Sequence, residues 1–264
     1  MQSQNITSRD NALLQRFRAV RDGRDKSLIF VEGLRLCEEA LASRLNIGAI
    51  IYSDEIAEKE RAKRFLLQVE PNSPRLASVS EKLLATVSYT KTPQGIVLLA
   101  MRPETKIDID SSHPTPLLVV MHRINNPVNV GAIMRTAEAA GATGVIATKD
   151  TSDPYSPKSL RGAMGSAFRL PLWYGPSYEQ VIHWCRERKI RTIAADVEAE
   201  TNYIDVNWQQ SCALILGPES DGLSDVELKA TDQTVKVPMK GSVESLNVGV
   251  TAGIVLYEAE RQRS

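Results

Sequence analysis

The second half of the chain repeats one pattern six times: a short strand-like run, a turn and, in several cases, a helical pattern. The runs fall at 117–121, 144–148, 169–173, 191–195, 212–216 and 234–237. Runs this rich in apolar residues suit strands buried on both faces. Strands separated by helices cannot pair as tight hairpins, so they pair in parallel through crossovers. The expected fold class is therefore α/β, a parallel sheet with helices on both faces. Ser177 is placed to cap a helix over 178–188, and Ser224 with Glu227 forms an S-x-x-E capping box. A last helix is expected to start around Asn247 and to carry Val248, Thr251, Ile254, Val255 and Tyr257.

The first part of the chain has strand candidates at 28–31, 47–52 and 95–100, and helical patterns at 34–42 and 55–69. This spacing predicts a smaller α/β unit. Between the halves, Pro103, Pro114 and Pro116 alternate with Lys106, Asp108, Asp110, Ser111 and Ser112. Proline stiffens such a stretch and bars it from a central strand. The expected division is residues 1–105, a linker at 106–116 and a second domain at 117–264.

Composition narrows the function classes. The 264 residues carry 32 Lys+Arg and 32 Asp+Glu, which argues against a generic basic coat for nucleic acid while allowing local basic patches. Cys37, Cys185 and Cys212 lie far apart, and an odd count without a CxxC pair suits a reducing cytoplasm. His113, His122 and His183 lack metal-ligand spacing, so no metal site is expected. The polar start has no signal-peptide core, and the apolar runs are too short to cross a bilayer. Trp173, Trp184 and Trp208 read as packing residues, and Cys185 and Cys212 as core thiols.

Three segments sit where strand-like runs meet turns: Asn126-Pro-Val-Asn-Val-Gly-Ala-Ile-Met-Arg135, Leu216-Gly-Pro-Glu-Ser-Asp-Gly-Leu223 and Val243-Glu-Ser-Leu-Asn247. Ligands of parallel α/β folds bind outside the carboxyl ends of strands, so these junctions suggest one composite site. Its chemistry-bearing side chains are Asn129, Arg135, Glu219, Ser245 and Asn247. Taken singly, each has a plain alternative. Asn129, Ser245 and Asn247 could be helix caps, Arg135 a surface ion-pair partner and Glu219 a solvated turn residue. Neither G-x-x-x-x-G-K-[ST] nor G-x-G-x-x-G occurs, so phosphate-cradling nucleotide folds lose their main support.

Together and in this order, the three segments resemble the SpoU (TrmH-like) family of the SPOUT superfamily, RNA ribose 2′-O-methyltransferases. The resemblance runs from about Leu117 to the C-terminus. Phe30-Val-Glu-Gly-Leu-Arg-Leu36 and Thr92-Pro-Gln-Gly-Ile-Val97 are similar to the substrate-binding domain that many members carry ahead of the catalytic part, itself like small RNA-binding ribosomal proteins. The resemblance implies a trefoil-knotted parallel sheet, a feature that topology rules alone would not predict. It also implies an S-adenosylmethionine pocket built from Leu216, Gly217, Glu219, Val237, Met239, Leu246 and Asn247, and a homodimer through the knotted domain. This chain departs from the family pattern at His122 and Asn126, where Asp is common, and at Pro218, where Asn is common. Pro218 removes a backbone donor from the pocket wall.

By the same resemblance Arg135 is the central catalytic residue. A guanidinium seldom yields a proton, so it is expected to hold the 3′-flanking phosphate and stabilise the forming alkoxide. Asn129 would orient Arg135 or the ribose, while Glu219, Ser245 and Asn247 would hold the target nucleotide and that arginine. RNA phosphates are expected on Arg16, Arg18 and Arg21 of the basic N-terminal segment, and on Lys158 and Arg161. Arg169 would extend the second patch, and Tyr155 would stack on an exposed base. The expected partner is a structured RNA, large-subunit ribosomal RNA ahead of transfer RNA. Two other readings remain. One is a non-catalytic RNA-binding or ribosome-assembly protein, disfavoured by retention of all five side chains. The other is a small-molecule α/β enzyme with a nucleotide cofactor, disfavoured by the missing glycine fingerprints.

Overall fold

The computed structural model describes residues 4–69, 75–107 and 114–264. The linker residues Asp108, Asp110, Ser111, Ser112 and His113 lie outside them. Packing divides the chain into two units, one of residues 1–104 with 155–168 and one of 105–154 with 169–264.

The first unit holds a five-stranded sheet in the order β1 (Gln4–Ile6), β4 (Arg75–Val79), β3 (Ile47–Ser53), β5 (Ile96–Met101) and β2 (Leu28–Glu32). β1, β4 and β3 run parallel, whereas β5 is antiparallel to both β3 and β2. Helix α1 (Ala12–Arg21) buries Leu13, Leu14, Phe17 and Val20, the spacing of one helical stripe, and Asn11 caps it by accepting the Leu13 N–H at 2.8 Å. Phe17 meets Phe30 edge-on at 6.4 Å in the core. Helix α2 (Leu34–Ala42) matches its expected span.

The helix expected over 55–69 divides into α3 (Asp54–Ala57) and α4 (Glu60–Val69). Ile56 packs where a Gly95 side chain would otherwise stand, and one straight helix could not aim both it and the Ala62, Phe65, Leu66 and Val69 stripe inward. Strands β1 and β4 and helix α5 (Glu81–Val87) had no sequence counterpart. β1 is three residues long, too short for a periodicity to register.

The second unit holds six parallel strands in the order β11 (Gln233–Val235), β9 (Arg191–Ala195), β10 (Cys212–Leu216), β6 (Leu117–Met121), β7 (Gly144–Ala147) and β8 (Leu172–Tyr174). β6 and β10 are buried at every residue, as their sequences required. Helix α6 (Pro127–Ala139) links β6 to β7, while α9 (Tyr178–Glu187) carries the chain back from β8 to β9. Right-handed crossovers in opposite directions place these helices on opposite faces of the sheet. On one face, Leu118, Val120, Ile146, Ala213 and Ile215 pack against Val181, Ile182 and Cys185 of α9. The terminal helix α11 (Val248–Arg263) packs along α6.

Three expectations need correction here. The strand expected at 169–173 begins later, because Arg169 ends the short helix α8 (Ser166–Arg169) and pairs with Glu138. The strand expected at 234–237 is β11, with Lys236 left in an isolated bridge to Asn202. Residues 155–168, which include α7 (Pro157–Ala163), pack with the first unit although they lie between β7 and β8 in sequence.

One polar cluster pins the carboxyl end of β6 to the helix that follows β10. His122 is buried, its Nδ1 3.0 Å from the Thr148 hydroxyl and its Nε2 2.9 Å from Glu227 of α10 (Asp225–Lys229). Arg123 donates to the other Glu227 oxygen at 3.0 Å, and the N–H and hydroxyl of Ser224 each donate to it at 2.8 Å. The Tyr178 hydroxyl donates to the Glu227 carbonyl at 3.0 Å. Burial holds His122 below its ordinary range, against the pull of Glu227. Burial alone would raise Glu227, but Ser224 and His122 outweigh it and lower the carboxyl.

Both groups therefore bind protons more weakly in the fold than in the unfolded chain. Their contribution is complete above about pH 6.5, the unfolded histidine value, and is lost on acidification through the lower folded values. Denaturant midpoints should fall between pH 7 and pH 4, and His122→Asn should flatten the part of that slope just below pH 6.5. An unchanged slope in the variant would remove the assignment.

Candidate active site

The three strand-end junctions meet at one cavity of about 690 Å³ in the second unit. Its walls come from the turn after β9, the loop after β10, the segment between β11 and α11, and the first turn of α6. Of the five expected catalytic residues, Asn129, Glu219, Ser245 and Asn247 line it. So do Leu216, Gly217, Val237, Met239 and Leu246, which completes the set expected for the cofactor.

The cap of α6 is Asn126, whose side chain accepts the Val128 N–H at 3.0 Å, with Pro127 opening the helix. Asn129 is thus not a helix cap. It is 8% exposed and its amide bridges two loops. Its Nδ2 donates to Glu219 Oε1, and its Oδ1 accepts from Asn247 Nδ2 at 3.3 Å. Asn247 does cap α11, its Oδ1 accepting the N–H groups of Gly249 at 2.9 Å and Val250 at 3.4 Å. A single relay therefore runs from the α11 terminus through Asn247 and Asn129 to Glu219. Ser245 is exposed on the cavity wall.

The loop after β10 closes tightly on itself. Gly222 takes a left-handed φ of +64° and its N–H reaches the Pro218 carbonyl at 3.1 Å. Gly217 leaves room for Leu223, whose Cγ would lie 2.9 Å from a Cβ at that position. Pro218 keeps its place in the wall and supplies only an acceptor.

Arg135 stands apart. It is exposed on α6, makes no hydrogen bond or ion pair among the described residues, and is not part of the cavity wall. Asn129 lies six residues away, which turns the two side chains about 120° apart on the helix. The cavity's charges are one-sided. Asp196, Glu219, Asp221 and Glu244 line it, and among the described residues no Lys, Arg or His does. Asp196, Asp221 and Glu244 were not singled out in the sequence. For Asp196 the available signal was its position directly after the run 191–195.

The expected RNA-contact residues separate into two groups. Arg16, Lys158 and Arg161 are exposed and make no hydrogen bond or ion pair among the described residues. Arg18 instead donates to the Arg9 carbonyl at 2.9 Å and the Thr86 hydroxyl at 3.1 Å. Arg21 binds the carbonyls of Thr86 at 3.1 Å and Val87 at 3.0 Å, covering the end of α5. Tyr155, expected to stack on a base, is 4% exposed with the Arg102 guanidinium 4.9 Å over its ring, so its face is taken. Arg169 pairs with Glu138. Trp208 is fully buried and Trp173 packs on Trp184, as packing residues should. The three thiols are buried and shifted upward by burial, Cys185 to about 12, which makes them poor nucleophiles.

The chain is similar to known proteins along most of its length. The profile of the SpoU rRNA Methylase family matches residues 116–257, and that of the MRM3-like substrate binding domain matches residues 13–98. A 23S rRNA (uridine(2479)-2′-O)-methyltransferase of Streptomyces viridochromogenes is 31% identical over 98% of this chain and 92% of that protein. The 23S rRNA (guanosine-2′-O-)-methyltransferase RlmB of Ralstonia nicotianae is 32% identical over 81% of this chain and 88% of its own length. Among solved structures, the SpoU methyltransferase AviRb of Streptomyces viridochromogenes in complex with AdoMet superposes with a TM-score of 0.85 at 30% identity, covering 96% of this chain and 98% of that one. An AdoMet-bound rRNA methyltransferase of Sinorhizobium meliloti gives a TM-score of 0.87 at 26% identity, covering 99% and 98%. With that family model matching more than half of its length and a relative aligned almost end to end, this chain belongs to the SpoU rRNA methylase family.

Proposed function

We propose that this protein transfers a methyl group from S-adenosylmethionine to a ribose 2′-hydroxyl in ribosomal RNA, of the large subunit ahead of transfer RNA. The observation that carries the reading is the cavity's charge. Four carboxylates and no basic side chain suit a ligand with a net positive sulfonium and ammonium end, and oppose a phosphate-bearing cofactor. Leu216, Val237, Met239 and Leu246 add apolar wall for the nucleoside, and Gly217 lets the backbone come close. When bound, S-adenosylmethionine supplies an electrophilic methyl carbon that needs only an aligned oxygen nucleophile.

The side chains then have separate tasks. Asn129 holds Glu219 and Asn247 in one relay and so fixes two walls of the site. Glu219 and Ser245 orient the target nucleotide. Arg135 meets the flanking phosphate and stabilises the alkoxide as the hydroxyl proton leaves to phosphate or water. We further infer that residues 237–247 thread the loop around 217–223 as a trefoil knot. Support comes from both segments walling one cavity and from α11 packing back on α6.

A homodimer through α6 and α11 is the assembly that fits Arg135. Val128 and Arg135 lie seven residues apart on α6, and Val250 and Tyr257 seven apart on α11. Val128, Val250 and Tyr257 are 44%, 51% and 53% exposed, an apolar face with the free guanidinium beside it. In the first unit, the proposed substrate-binding domain of residues 1–105, Arg16 takes RNA phosphates, joined by Lys158 and Arg161 on α7. Residues 106–116 form the linker, and 117–264 without 155–168 the catalytic domain. Buried free thiols accord with work in the cytoplasm.

Labelled methyl transfer to total ribosomal RNA, with the modified riboses mapped, tests the activity. Arg135→Ala should lower turnover by about 10²- to 10³-fold with S-adenosylmethionine affinity unchanged. Full turnover in that variant would defeat the role. Asn129→Ala should cost on the order of tenfold or more in turnover and loosen cofactor binding as well, since both loops lose their shared partner. The double variant Val250→Asp, Tyr257→Asp should sediment as a monomer; if it stays dimeric, this face is not the interface.

A further inference from the structure

The methyltransferase reading leaves three carboxylates of the cavity, Asp196, Asp221 and Glu244, without a task. Asp196 directly follows β9, an interior strand paired on both sides and buried at its three central residues. Its backbone is fixed, with the N–H donating to the Val235 carbonyl at 2.9 Å and the carbonyl accepting from Ala199 at 3.4 Å. Its side chain is fixed too. Oδ1 accepts the Glu198 N–H at 3.2 Å, an Asx-type turn that sets the direction of the carboxylate. The second oxygen has no hydrogen-bond partner among the described residues, yet the residue is half-buried on the cavity wall. An ionised carboxylate is acceptor-only, so what completes it must bring hydroxyl or N–H donors.

The other three carboxylates of the wall are differently placed. Glu219 receives the Asn129 amide. Asp221 receives the Ser220 hydroxyl at 2.8 Å on an exposed turn. Glu244 is exposed on the segment that leads to α11. Only Asp196 combines a strand-anchored backbone, a preset side chain and a free oxygen. Val235 and Val197, the latter 47% exposed, add apolar surface to the same cavity. An acid just beyond a parallel strand is a recurrent partner of ribose hydroxyls, because a carboxylate can accept from both members of a vicinal diol.

We propose that Asp196 is a cofactor-binding residue that accepts hydrogen bonds from the vicinal ribose hydroxyls of the S-adenosylmethionine nucleoside. The proposal rests on the methyltransferase reading above. Calorimetry on the full chain separates the two. The ligands are S-adenosylhomocysteine, which carries the same nucleoside without a transferable methyl, and its 2′,3′-dideoxyribose analogue. The wild type should bind the analogue roughly ten- to a hundredfold more weakly. Asp196→Ala should bind S-adenosylhomocysteine more weakly by a similar factor and no longer distinguish the two ligands.

A wild type that binds both ligands equally overturns the assignment whether or not the variant folds. So does a folded Asp196→Ala protein that still discriminates in full, since its loss would then be structural. A wild type that binds neither ligand nor S-adenosylmethionine ends the methyltransferase reading, and this inference with it.

Discussion

A buried amide must be satisfied, and at Asn129 that requirement organises the site. The side chain is almost without solvent, so both ends of its amide need protein partners. One end finds Glu219 beyond β10, and the other finds Asn247 at the head of α11. These partners are 90 and 118 residues away in sequence. A polar group this short-reaching can be satisfied only if three distant stretches of chain arrive together. The same demand that stabilises the fold therefore sets the relative positions of the residues that line the cavity.

Charge is divided with equal economy. Negative groups are gathered inside the cavity, and the guanidinium assigned to catalysis stands outside its wall. A cationic cofactor and a polyanionic substrate are thereby offered opposite environments. Mixed charges in one pocket would partly neutralise each other, as Arg169 and Glu138 do on the surface. The His122 cluster illustrates a third use of polar groups. It closes its own hydrogen bonds and serves to hold α10 against the sheet.

How much of this could be read from the sequence depended on the range of the interaction. Apolar runs report burial directly, so β6, β9 and β10 have their expected limits. Local capping was equally readable: Ser177 caps α9 as expected, and Ser224 makes the expected box with Glu227. Asn129 was ambiguous because cap and bridge use the same side chain, and only the tertiary position of Glu219 decides between them. Tyr155, Arg18 and Arg21 looked available because sequence shows charge and ring but not what covers them. β1 depends on pairing with β4 across some seventy residues, a contact that no local window contains. The strand-end junctions pointed to one composite site, and four of its five expected side chains line one cavity, while Arg135 stands outside the wall because it lies about 120° around α6 from Asn129.

The stretch 155–168 breaks the correspondence between chain order and packing. Leu160 and Ala163 of α7 are buried, and the helix lies against β2 of the first unit. Cutting the gene at the proline-rich stretch would therefore not yield two self-sufficient pieces. The C-terminal fragment would keep α7 but lose the apolar surface it covers, and the N-terminal fragment would expose that surface to water. The C-terminal half of the chain carries a part of the first unit's core, so that unit is to be expressed and recombined together with α7.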